Sequence, residues 1–169
     1  MTCLFFVCGL PANAIVMRHD TGYGSYLARE TDYPAVFPLL QQNRRKTCIA
    51  TLVTAQWAIT AAHCVEQAGL PLNWRAGDGF PVQIASSQLR FQFDDPHAEQ
   101  SLAVPFEGIP GLGDSGGPAI LRRGAEEFLA GVAIGEVEQG RGLGLYGATV
   151  IYERISLHSD WIQEVVAIH

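Results

Sequence analysis

Gly113-Asp114-Ser115-Gly116-Gly117-Pro118 sets one serine inside a turn made largely of glycine, and its meaning depends on a second string, Thr60-Ala61-Ala62-His63-Cys64. A serine hydroxyl is a weak nucleophile until a base takes its proton, and histidine is the side chain best poised for that near neutral pH. The oxyanion formed on attack needs donors that are already aimed at it. Gly113, Gly116 and Gly117 permit backbone angles and a close substrate approach that side chains would block. The alternative, a glycine-rich surface loop plus an unrelated core histidine, is the weaker reading even of either string alone.

Together, and in this order, they resemble the two signatures of the chymotrypsin/trypsin-like serine proteases. The resemblance is to a shortened, bacterial secreted member of that family. It implies an all-β fold, a trypsin-like double β-barrel with a truncated middle and a C-terminal α-helix. It further implies a serine endopeptidase acting on polypeptide substrates, with Ser115 as nucleophile and His63 as general base and then acid. The N–H groups of Gly113 and Ser115 would form the oxyanion hole. No cofactor and no metal are called for.

The composition fits a globular protein of this kind. The chain has 169 residues, 48% of them hydrophobic and 17% charged, which sets it apart from disordered chains. One domain large enough to bury a core is the expectation, and 18 glycines with 9 prolines suit a loop-rich β fold. A formal charge of −6 argues against a general nucleic-acid role, since phosphate binding needs a basic surface. Arg44-Arg45-Lys46 is the one basic cluster and reads as a solvated loop.

At the N-terminus, Leu4-Phe5-Phe6-Val7-Cys8-Gly9-Leu10 is too short an apolar run to span a bilayer, and Ala12-Asn13-Ala14 has the small-x-small form of a signal-peptidase site. A positively charged leader start is missing. Residues 1–14 therefore read as a signal peptide, or alternatively as a buried first strand, and 15–169 as the protease domain. Cleavage after Ala14 would expose Ile15-Val16, which resembles the new N-terminus that the family usually creates by cutting a propeptide. In the family that amino group pairs with the aspartate before the nucleophile, here Asp114. Cys3 and Cys8 would leave with the leader. The remaining Cys48 and Cys64 match a disulfide that the family places behind its histidine, which implies an oxidising, secreted or periplasmic location.

Along the chain, Tyr33 to Leu40 reads as a proline-broken edge strand. Cys48 to Val53 and Trp57 to Thr60 read as strands, followed by a helical turn at Ala61 to Val65 that presents His63. Leu89, Phe91 and Phe93 alternate with polar residues, as in a half-buried strand. Phe128 to Ile134 and Ala148 to Tyr152 read as further strands. Leu157, Trp161 and Val165, with Ile162 and Val166 beside them, mark a terminal helix.

The departure from the family lies between Cys64 and Gly113. Positions 65–112 are too few for the remainder of one barrel, a crossover and half of the next; barrels of this kind commonly need roughly 200–250 residues in all. Two alignments of the triad acid stay open. Ser101-Leu102-Ala103-Val104 resembles the family's Asp-Ile-Ala-Leu string with serine in the carboxylate's place. Alternatively, Leu89 to Phe93 already belongs to the second barrel and the acid-bearing segment is deleted. The second is preferred, because Phe106 to Leu112 runs straight into the serine turn. Asp78, Asp94, Asp95 and Glu99 are the candidate substitutes, each more plainly read as a solvated carboxylate. A barrel shortened in this way leaves sheet edges open to self-association. Without the acid, a catalytically impaired relative or binding scaffold is the competing function. The residue six before the nucleophile, Ile109, would floor the specificity pocket, so a small or apolar substrate side chain is expected. His97 among Asp94, Asp95 and Glu99 lacks recognisable metal-ligand spacing and reads as a surface loop.

Overall fold

The computed structural model describes residues 15–40, 46–67, 88–137 and 142–168. The signal-peptide reading of 1–14, and Asp78, lie outside them. The strands of the described chain form three antiparallel sheets. β1 (Ile15–Met17) pairs with β6 (Gly108–Pro110), Val16 standing opposite Ile109. β2 (Val36–Leu40), β3 (Lys46–Leu52) and β4 (Ala58–Ile59) form the second sheet with β3 at its centre. The third has the order β5-β9-β8-β7, from Gln88–Gln92, Thr149–Arg154, Glu126–Val137 and Pro118–Arg123. The helices α1 (Ala62–Gln67) and α2 (Ser159–Ile168) complete this mostly β fold with a helix at its end. Neither is long and apolar enough to cross a membrane.

The hydrophobic pattern explains where the cores lie. Phe93, Ile109, Ala148 and Val150 are buried together, with Val16, Tyr146 and Tyr152 packed against them. The Phe93 and Tyr146 rings are 4.6 Å apart. This cluster joins the β1–β6 pair to the four-stranded sheet. A second cluster holds Cys48, Ala61 and Cys64, covered by Leu39 from β2 and Ile134 from β8. Its residues are small because a disulfide fills the space between β3 and α1.

Most expected elements are present, with differences that have physical causes. The edge strand begins at Val36, after a turn closed by the Val36 N–H on the Tyr33 carbonyl. Phe91 shares a strand face with Leu89 yet stays 53% exposed, because β5 is an edge strand and Tyr152 covers only one side of the ring. Leu157 does not belong to the terminal helix. It closes a 3₁₀ turn, Ile155–Leu157, and is exposed. β7 was not expected. Its half Leu121-Arg122-Arg123 is charged and exposed, and it becomes a strand through its hairpin with β8 across Gly124, which takes φ +64°.

Candidate active site

Ser115 lies at the seam between two sheets. Its carbonyl accepts the Ile49 N–H of β3 at 2.8 Å, while on the other side the Gly116 N–H donates to Ala133 of β8 at 2.7 Å. Ala133 N–H returns a bond to the Gly117 carbonyl at 2.8 Å. The turn is thus clipped into both sheets by backbone bonds, whose geometry does not depend on flexible side chains. Gly113 and Gly116 take φ of +91° and +83°. At Gly116 a Cβ would stand 2.1 Å from the Ile49 carbonyl oxygen and 2.2 Å from Thr60 Oγ1, so only glycine fits. Thr60 Oγ1 itself donates to that same carbonyl at 2.7 Å, tying the segment before His63 to the strand that holds the serine.

His63 sits in the first turn of α1, half-buried. The Cys48–Cys64 disulfide, with both residues 1% exposed, fixes that turn to β3. Cys64 Sγ lies 3.6 Å from the Ser115 carbonyl oxygen, and a nitrogen of the His63 ring lies within 4.8 Å of the sulfurs. The His63 ring and the Ser115 carbonyl thus both lie near Cys64. Among the described residues no hydrogen bond joins the His63 ring to the Ser115 hydroxyl, or His63 to a carboxylate. Such bonds are often long in a site without substrate. Among those residues, too, neither the Gly113 nor the Ser115 N–H is spent on a protein carbonyl.

Of the candidate acids, Asp94, Asp95 and Glu99 are described, and none is bonded to His63. Asp94 and Asp95 follow β5 in a loop beside Tyr146, lining a cavity of about 300 Å³. Asp94 accepts from Gln92 Nε2 at 3.0 Å, and Asp95 accepts the His97 N–H at 2.9 Å. Glu99 is exposed. Residues 101–104 form no strand, and Leu102 is 81% exposed. β5 belongs to the sheet that follows the nucleophile, as the second alignment has it.

Asp114 is buried at 5% exposure, and neither of its oxygens meets the nitrogen of Ile15 among the described bonds. One accepts Lys46 Nζ at 2.7 Å, the other the Gly111 N–H at 3.0 Å. Ile15 and Asp114 do share a cavity of about 330 Å³, lined also by Tyr26, Phe106, Ile109 and Tyr152. Its walls are largely apolar, and Ile109 is part of both this cavity and the core. Burial, with the Asp114 charge adding to it, pushes the Tyr152 hydroxyl up to about 12. Lys46 is the residue that the sequence reading set aside. It is no solvated loop residue but the first residue of β3, and the signal was its period-2 spacing with the buried Cys48 and Ala50.

Comparison with known proteins bears on the family. The profile of the family described as Trypsin matches residues 24–97, a span that includes His63 and ends before Ser115. The chain is similar to Transmembrane protease serine 11C of Mus musculus, 38% identical over 115 residues, covering 64% of this chain and 26% of that protein. The chain spans about a quarter of that relative's length. The relative is a mouse protein, so a bacterial source finds no support. No solved structure matches the chain. The two matches support a trypsin-like serine protease family.

Proposed function

We propose that residues 15–169 form a trypsin-like serine protease domain that hydrolyses peptide bonds through an acyl-enzyme on Ser115. One observation carries this reading: the serine turn is clipped by Ile49 and Ala133 into both sheets, and its carbonyl lies against the disulfide that anchors His63. In the proposed reaction His63 takes the Ser115 proton as Oγ attacks the substrate carbonyl carbon. The negative oxygen is met by the N–H groups of Gly113 and Ser115. Collapse breaks the C–N bond, the leaving amine takes the proton from His63, and water then releases the acyl group by the same steps in reverse roles. The apolar cavity beside the turn, with Ile109 in its wall, fits an apolar substrate side chain. The disulfide suits a secreted or periplasmic location.

A second reading has its own observation. Among the described residues no carboxylate is bonded to His63, and none of them holds the ring in the tautomer that accepts the serine proton. In the family's own template, losing the acid's function costs about 10⁴ in turnover. The chain would then be a slow hydrolase or a binding scaffold. Labelling by a fluorophosphonate separates the readings, because it needs an activated serine and no particular substrate. Stoichiometric labelling that Ser115→Ala and His63→Ala both abolish is the expected outcome. A folded protein that takes up no label would assign the chain to the scaffold reading.

A further inference from the structure

The Lys46–Asp114 pair joins an element far from the nucleophile in sequence to the residue next to it. Asp114 is buried, so its charge needs a partner inside the protein. Lys46 supplies one from the start of β3, 68 positions away. The lysine side chain is one-third exposed while that of Asp114 is 7% exposed, so the cation reaches inward from the surface. Its stem runs along the turn: the Lys46 carbonyl oxygen and Cε lie 3.6 and 3.7 Å from where a Cβ on Gly113 would stand. The second Asp114 oxygen holds the Gly111 N–H, and the Asp114 carbonyl accepts the Gly117 N–H at 2.9 Å. Through this one residue the cation fixes both ends of the 111–117 turn.

We propose that Lys46 is a positioning residue that orders the nucleophile turn from within the chain, with no free amino group at Ile15. The nitrogen of Ile15 is a peptide N–H following Ala14, and β1 is already paired with β6. The charge that Asp114 requires is in place in this uncut form. Cutting after Ala14 is then not what forms the turn. The proposal deepens the protease reading, because it concerns the regulation of the same site, yet the order of the turn can be measured whether or not the site is catalytic.

The test is hydrogen exchange followed by mass spectrometry on the chain retaining residues 1–14, with fluorophosphonate labelling run in parallel. Lys46→Met should raise exchange about tenfold or more in peptides covering 111–117 and leave β8 and β9 protected, while Lys46→Arg should stay within about threefold of the parent. Parent-like protection in Lys46→Met would overturn the proposal. So would a turn that exchanges freely in the parent until the chain is cut after Ala14, since the amino group would then be the holder. A rise spread over β7, β8 and β9 would also overturn it, because the pair would then support the whole fold. If the exchange pattern is as expected but no variant takes up label, the protease reading fails and Lys46 still orders the turn.

Discussion

At the scale of single residues, the site depends on positions where one atom more would not fit. Gly116 is the clearest. A Cβ there meets the Ile49 carbonyl and Thr60 Oγ1 at contact distances that no rotamer relieves, in a backbone conformation that L side chains avoid. Gly116→Ala should cost more than about 3 kcal/mol and abolish serine labelling. Gly124→Ala is the control. It shares the left-handed conformation, with nothing within 4 Å, and should cost only about 1–2 kcal/mol. Urea unfolding of the two variants measures the difference. The turn's glycines were legible in the sequence as a motif. Which of them is indispensable was not, because the clash comes from β3 and from Thr60, both distant in sequence.

At the scale of elements, β3 connects every part of the candidate site. It carries Lys46 to Asp114, Ile49 to the Ser115 carbonyl and Cys48 to Cys64. A short α1 of six residues has little stability of its own, since isolated helices of that length do not persist in water. Its attachment is the disulfide. Replacing Cys48 and Cys64 together by serine should lower stability by about 3 kcal/mol, the amount expected for a closed loop of this length. Denaturant midpoints measured with and without reductant check this: the parent should lose stability on reduction and the double variant should not respond. The strands were readable where apolar residues alternate or run together, as in β3, β8 and β9. β7 was missed because its outer half is polar, and only its hairpin partner makes it a strand.

At the scale of the whole molecule, both cores draw on the four-stranded sheet, one through Val150 of β9 and the other through Ile134 of β8, and Tyr152 lines a cavity with Asp114. Its hydroxyl is pushed up from 10.0 to about 12 by burial first and the Asp114 charge second. A raised value means that the folded protein holds this proton more tightly than the unfolded chain. The contribution is therefore whole below pH 10 and is lost as the pH rises from 10 towards 12. By pH 11 the loss attributable to this group is about 1.4 kcal/mol. Tyr152→Phe should lose less stability than the parent between pH 8 and pH 11 by roughly that amount, as read from urea midpoints at the two pH values. Equal losses would show that the ring is not protected in the folded protein.

The sequence by itself determined the strand-rich class and the terminal helix, and its resemblance to the trypsin-like family pointed to the serine turn, the histidine and the cysteine pair. These are local patterns: alternation, glycine in a turn, a histidine beside a cysteine. The tertiary structure alone decided what surrounds them. It took Lys46 out of an apparently solvated basic run and set it on Asp114, and it placed β5 in the sheet that follows the nucleophile. It also put Asp94 and Asp95 beside Tyr146. The physical reason is common to all three. A charge is buried or solvated, and a strand is central or at an edge, only in relation to partners that the chain brings from far along its length.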